Sequence, residues 1–222
     1  MNVNSESKKP LAYRLGYQNF YGRDFIVTPD VLIPRPETEQ LIDSVLKLAG
    51  KPYLPGVKPT PRLLPKNPKI LDIGTGSGCI AITLKLELPD AEITATDISE
   101  KALKIAKKNT EKFGITIPLI ISHLLEKVNF TPDLIVANLP YVDKNWDWLD
   151  KKALSYEPKE ALYADNNGLA LIFELIASAS KLKIPYLILE ADPIEHQPII
   201  TYAKNYHYTL NSTHGFALIF KH

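Results

Sequence analysis

Two short stretches carry residue types whose spacing suits chemistry. In "LDIGTGSGCIAI", Gly74, Gly76 and Gly78 alternate with Thr75 and Ser77, directly after an apolar run that ends near Asp72. Glycines between a strand and a helix let the backbone approach a ligand closely, and the helix start offers it unpaired N–H groups. A dinucleotide fingerprint needs its third glycine at position 79, where this chain has Cys79. The G-x-G-x-G spacing behind an acid suits instead a nucleoside carrying a zwitterionic amino acid. Asp97 closes the next apolar run, "EITATD", 19 residues beyond Gly78. A carboxylate at that place accepts hydrogen bonds from ribose hydroxyls. A tight turn would explain the glycines alone, but not the acid that follows at this distance.

The second stretch is "IVANLPYVD", where the apolar run stops at Asn138 and Leu139, Pro140 and Tyr141 follow. An Asn-x-Pro turn has no need of an aromatic ring directly after the proline. Pro140 confines Leu139 to extended backbone and so aims its carbonyl. Tyr141 offers a flat wall to a planar group. An amide, an aimed carbonyl and a ring at the end of a strand together make a candidate binding edge.

The elements that must hold these stretches alternate along the chain. Strands are expected at "KILDI", "EITATD", "PLIIS", "DLIVAN" and "PYLILEA", with helices at "CIAITLKLEL", "SEKALKIAKKNTEKFG", "GLALIFELIASASKL" and around "EHQPIITYAKNY". Ser99 is the expected N-cap of the second helix, and Gly114 lies past its end. The five lysines of "KALKIAKKNTEK" sit at helical spacing around an apolar stripe and read as a solvated face. The end, "YTLNSTHGFALIFKH", alternates around "STHG" as a hairpin. Short apolar strands separated by helices imply a mostly parallel sheet covered on both faces, so the fold class is α/β. Ahead of these elements, "ETEQLIDSVLKLAG" has helical spacing and ends at Gly50. Residues 1–49 are thus an N-terminal segment whose first ten positions read as a frayed end. Residues 50–69 form a connection rich in proline, which forbids a helix and suits an extended, solvated path. Residues 70–222 form the main domain.

Composition excludes several classes. At 222 residues the chain can bury a substantial core. Lys plus Arg is 26 against 25 for Asp plus Glu, so no bulk field draws it to nucleic acid or an anionic membrane. The single Cys79 excludes an internal disulfide and fits a reducing compartment. "MNVNSESKKP" is polar rather than a signal sequence, and no apolar run approaches the ~20 residues of a membrane span. A cytoplasmic location is expected. The histidines show no metal-ligand spacing, so no metal is expected.

"LDIGTGSG" with "TDIS" resembles the class I S-adenosylmethionine-dependent methyltransferases, and "VLIPRPETE" with "NLPY" narrows this to the HemK/PrmC family, the bacterial release-factor glutamine methyltransferases. "PLAYRLGYQNFYGRDFIVTPDVLIPRPETE", "SYEPKEAL", "NNGLALI" and "LILEADPIEHQ" fit the same family, which covers about Pro10 to the C-terminus. "PRPETE" is the most specific of these; "NLPY" is shared with DNA adenine and other amino methyltransferases. The resemblance implies a Rossmann-like, mostly parallel seven-stranded sheet with a C-terminal antiparallel hairpin. It implies S-adenosylmethionine as cofactor, held at Gly74–Gly78, Asp97 and beside Asn138. It implies a class I peptide chain release factor as protein substrate, methylated on the Gln of its Gly-Gly-Gln motif. The "IPRPETE" segment would lie over the pocket, with Arg35, Pro36 and Glu37 positioning substrate or bracing the wall; it could equally be a helix start.

A carboxamide nitrogen is a poor nucleophile because its lone pair is delocalised. The Asn138 oxygen and the Leu139 carbonyl can each accept one N–H of such an NH₂ group, which orients it and stabilises charge growing on nitrogen. No general base is needed beforehand, because the cationic product loses a proton readily. Leu139 stands where the family usually has Pro, keeping the carbonyl but not the fixed φ. His123, in "ISHLLEK", falls beside the adenine in the family and either stacks on or hydrogen-bonds the base, or is a surface histidine. Family members carry a small helical domain ahead of the catalytic one, and here little precedes Pro10, so docking is expected to rest on the catalytic face alone. Other readings are a glutamine methyltransferase of a ribosomal protein, a nucleic-acid adenine methyltransferase, and a binding module without catalysis. The near-zero net charge weighs against the second and intact Asn138, Pro140 and Tyr141 against the third.

Overall fold

A computed structural model of the chain describes residues 9–52, 56, 58–147 and 150–222. Most of the expected frayed end and part of the proline-rich connection lie outside the described residues. Seven strands form one sheet: β3 (Lys69–Ile73), β4 (Glu92–Asp97), β5 (Leu119–Ile121), β6 (Leu134–Ala137), β7 (Tyr186–Glu190), β8 (Thr209–His214) and β9 (Ala217–Lys221). Their order is β5-β4-β3-β6-β7-β9-β8, parallel from β5 to β7 and antiparallel at the last two pairs. Chain order runs outward from β3 to β5 and then returns to β6 on the other side. Such a reversal opens a crevice at the carboxyl ends of the central strands.

Alternation along each strand builds two cores. Ile70, Leu134, Val136, Ile188 and Ile219 face one way, against α2 (Glu39–Leu48) and α3 (Cys79–Glu87). Leu71, Ile135, Ala137, Leu187 and Leu218 face the other way, against α6 (Ala170–Lys181) and α7 (His196–Asn205). Strands buried on both faces read as continuous apolar runs, which is why "LIVA" and "YLILE" show no polar side. Between these helices come α4 (Glu100–Lys112) and a short α5 (Lys151–Leu154). Ser99 caps α4 through Ala102 N, and Gly114 follows that helix with φ 65°, as the sequence predicts.

Three features differ from the sequence reading. The closing turn lies at Gly215 and Phe216 rather than over "STHG", because β8 continues to His214 past a register shift between Leu210 and Ser212. Leu64, within the proline-rich connection, is buried in the first core, so that path is not wholly solvated. Ahead of α2 the chain forms a short helix α1 (Leu11–Leu15) and a separate hairpin, β1 (Tyr17–Phe20) and β2 (Arg23–Ile26).

One buried amide ties that hairpin to the glycine loop. Asn109 Oδ1 accepts from Ile26 N at 2.8 Å, and Nδ2 donates to Ile26 O at 3.0 Å and Ser77 O at 2.8 Å. Asn109→Ala is expected to cost about 3 kcal/mol, because three bonds are lost and buried main-chain groups are left unpaired. Urea unfolding measures it. A loss below about 1 kcal/mol would mean that water replaces the amide there.

Candidate active site

Strand register brings the chemistry to one edge. Ile73 pairs with Thr96 and Ala137, and Ala137 with Leu189, so Asp72, Asp97, Asn138 and Glu190 all lie at neighbouring strand ends. Burial fixes Asp72: its Oδ2 accepts from Thr75 Oγ1 at 2.6 Å and Ala81 N at 3.1 Å, while Oδ1 is buried with no partner among the described residues. Burial pushes its carboxyl up to about 7 against the pull of those two bonds.

The glycines above it divide the work. A Cβ on Gly76 would meet nothing within 4 Å, so that side of the loop is open. A Cβ on Gly78 would press on Ile82 and Ala106, so this glycine lets α3 pack beside α4. Asp97 holds the loop from the next strand, accepting from Gly76 N and Ser99 N, each at 2.8 Å. Burial raises its pKa, opposed by those main-chain donors. Ile98 beside it is exposed, an apolar residue that the motif reading passed over.

Asn138 follows β6. Its Nδ2 donates to Thr38 Oγ1 at 3.0 Å, which leaves Oδ1 to face elsewhere. Leu139 is buried, and its Cδ2 sits 3.2 Å from where a Gly74 Cβ would be, so it packs on the glycine loop. Tyr141 donates to Glu190 Oε1 at 3.2 Å, and burial raises its phenol pKa. Gly168, at φ 91°, lies so close that a Cβ there would fall 2.1 Å from the Tyr141 carbonyl oxygen.

Two acids brace this loop. Glu157, from "SYEPKEAL", pairs with Arg35 and accepts from Ile33 N at 3.1 Å, clamping the "IPRPETE" strap. Pro36 and Glu37 are exposed, whereas Thr38 is buried beside Asn138. Glu190, at the end of β7, is buried and its Oε2 lacks a partner among the described residues. Arg35, Asn138, Leu139, Tyr141 and Glu190 line a cavity of about 130 Å³. A larger cavity of about 310 Å³, between α2 and β8, shares none of these residues. His123 Nδ1 lies 3.6 Å from Glu126 and 3.5 Å from Glu174, two exposed carboxylates. Among the described residues no group of three or more His, Cys, Asp or Glu could hold a metal, and no helix is long and apolar enough to cross a membrane.

Residues 60–152 match the family model "Methyltransferase small domain". The chain is 41% identical over 169 residues to the release factor glutamine methyltransferase of Enterococcus faecalis, covering 75% of this chain and 56% of that protein. Over this stretch the chain is similar to the release factor glutamine methyltransferases. It is also 42% identical over 190 residues to a bifunctional methyltransferase of Rickettsia bellii, covering 78% of this chain and 34% of that one. The chain thus spans about half the length, or less, of these curated relatives. Among solved structures, the ribosomal protein L11 methylase from Lactobacillus delbrueckii subsp. bulgaricus superposes with TM-score 0.57 at 21% identity, covering 93% of this chain and 91% of that one. The seven-stranded sheet with its antiparallel hairpin is therefore the class I methyltransferase fold. Around this edge, Thr38, Glu157, Gly168 and Glu190 are the residues that motif reading missed. Each stands inside a stretch quoted for the resemblance, but only burial and long-range contacts show what it touches.

Proposed function

We propose that the chain transfers a methyl group from S-adenosylmethionine to the side-chain amide nitrogen of the Gln in the Gly-Gly-Gln motif of class I peptide chain release factors. The observation that carries this reading is the bond from Asn138 Nδ2 to Thr38 Oγ1. With its nitrogen turned toward Thr38, Asn138 has its oxygen left to accept an N–H of an incoming amide, as the Leu139 carbonyl would accept the other. The cavity of about 130 Å³ beside them supports a single side chain as the guest. Pockets that hold whole small ligands run to ~300 Å³ and more. Tyr141 would wall the amide, with Pro140 stiffening the turn, and the strap of Arg35, Pro36 and Glu37 would meet the surrounding substrate. The names of the relatives favour the same acceptor.

The cofactor fits the residues at the glycine loop. Gly74 to Gly78 would hold it through main-chain groups, since the Thr75 and Ser77 side chains are buried. Asp97 would accept from ribose hydroxyls, with His123 at the base end and Asn138 near the sulfur. The unpartnered Asp72 Oδ1 suits an ammonium group. When bound, S-adenosylmethionine supplies an electrophilic methyl group. The part of Asn138 and Leu139 is to turn the amide lone pair toward it and to stabilise the charge that builds on nitrogen.

Cofactor affinity should therefore depend on pH. Burial raises the Asp72 pKa to about 7, and only the carboxylate attracts an ammonium group. Affinity is expected to be full above that pH and to fall by up to about tenfold per unit below it. Calorimetry between mildly acidic and mildly basic pH reads this directly, and a flat profile would contradict the role given to Asp72. The function itself is tested by incubating the protein with labelled cofactor and a panel of release factor, ribosomal proteins and DNA. Label in the release factor supports the proposal; label in DNA alone would favour an adenine amino group, which the Asn138 pair could also orient.

A further inference from the structure

We infer that the cavity between α2 and β8 is a binding site for a small monocarboxylate with an apolar body. Paired residues on neighbouring strands share a face of the sheet. The row facing α2 runs through Val136, Ile188 and Ile219 and ends at Ser212 on β8. The first three are buried in the core, and the last is a small polar residue where a large apolar one would close the layer. His214, opposite Ala217, faces the same way. What remains is a cleft of about 310 Å³, lined by Ser212, His214, Ile219 and Leu48, with exposed Lys47 and Leu63 beside them. That volume lies in the range of pockets that hold whole small ligands. Bonds at both ends keep α2 from settling onto β8. At its start, Gln40 Oε1 accepts from Phe216 N at 2.7 Å, next to the β8–β9 turn. At its end, Leu48 O accepts from Leu63 N at 2.8 Å and Leu64 N at 3.1 Å, and Thr60 Oγ1 donates to Lys47 O at 2.6 Å.

The lining sets the chemistry of the guest. Leu63 is 51% exposed while its neighbour Leu64 is 3% exposed, so a large apolar side chain stands open at the cleft beside buried Leu48 and Ile219. The charges in that lining are not equally engaged. Asp43 Oδ1 already accepts from the Tyr21 hydroxyl at 2.9 Å. Lys47, one turn further along α2, has no side-chain hydrogen bond or ion pair among the described residues, whereas Lys51 and Lys85 both donate to main-chain carbonyls. The unmet demand is for an anion, and an N⁺–H···O⁻ bond is about twice as strong as a neutral one. Asp43, in the same lining, repels a second negative charge, which favours a carboxylate over a phosphate dianion. The apolar body of the guest would lie on Leu48, Leu63 and Ile219.

The test is a nitrogen-edited NMR titration of the full chain with hexanoate and phenylacetate, beside the matching amides hexanamide and phenylacetamide and inorganic phosphate. Saturable shifts are expected at the backbone amides of Lys47, Leu63, Ser212 and Thr213 with at least one of the carboxylates. Exchanging that carboxylate for its amide, or Lys47→Ala, should each weaken binding by about tenfold, the worth of one charge-assisted hydrogen bond. Ser212→Leu, which fills the cleft, should abolish binding. Lys47 is exposed, so its variant stays folded and decides the matter even where Ser212→Leu does not fold. Phosphate binding as tightly as the carboxylate, binding unchanged in Lys47→Ala, or shifts confined to the glycine loop would each overturn the inference. So would the absence of any saturable shift up to about 10 mM. The readout is binding alone, so it stands or falls independently of which acceptor the chain methylates.

Discussion

Asn138→Ala is expected to turn over about a hundredfold more slowly than wild type while binding cofactor nearly as well. The variant removes the one side-chain oxygen that would receive the acceptor amide. A hydrogen bond to a group gaining charge in the transition state is worth about 3 kcal/mol, and 1.36 kcal/mol is tenfold in rate. The Leu139 carbonyl remains, so binding of the acceptor is weakened less than its alignment, and the loss should fall on kcat. Asn138→Asp is the sharper variant. It keeps the shape and an acceptor oxygen, but a carboxylate cannot donate to Thr38, and it adds charge beside a sulfonium. Both variants are expected to stay folded, because Asn138 is only partly buried. A kcat for Asn138→Ala within about threefold of wild type would remove Asn138 from the chemistry.

Gly168→Ala is expected to be the most damaging change outside the residues that would touch substrate. Asn166 and Asn167 already have positive φ, 55° and 54°, and Gly168 follows at 91°. Asparagine tolerates such backbone; alanine at the third position does not. The Cβ would also stand 2.1 Å from the Tyr141 carbonyl oxygen and 2.7 Å from its carbon. Backbone atoms cannot step aside as a flexible side chain does, so the loop of Asn138 to Tyr141 must move. A displacement of about 1 Å at a positioning group costs about a hundredfold in rate. Turnover of Gly168→Ala should fall by that order, with a loss of stability of a few kcal/mol from strain and overpacking. Thermal unfolding and kcat together check it. Wild-type turnover in Gly168→Ala would mean that the loop is free to shift without affecting the reaction.

The parts of the sheet that were legible in the sequence are those whose signal is local. The continuous apolar runs of β3, β6 and β7 mark strands buried on both faces, and the residues at their ends mark the edge where ligands gather. Asp72, the glycine loop, Asp97 and Asn138 are legible for the same reason, since each sits at the end of its own run. The β1–β2 hairpin was not read, although Gly22 at its turn, with φ 72°, was a usable signal. Its strands are four residues long and each buries a single residue, so neither shows a clear period. Thr38 and Glu157 act across 100 and 122 positions of sequence, and Glu190 across 49, distances at which no spacing rule speaks. In "PRPETE" the charged Arg35 and Glu37 drew attention, but the threonine is the residue turned toward Asn138. Leu139 looked like a loss of stiffness beside the family's proline. In the fold its side chain fills the space above Gly74, so Leu139→Pro would exchange packing for rigidity.

The measurement that tests the central claim most directly is peptide mass spectrometry of a class I release factor after incubation with the protein and S-adenosylmethionine. The account predicts one added methyl group, on the side-chain nitrogen of the Gln in the Gly-Gly-Gln motif, absent when Asn138→Ala is used for the same short time. A methyl group on any other residue, or an unmodified release factor beside methylated DNA or ribosomal protein, would contradict it.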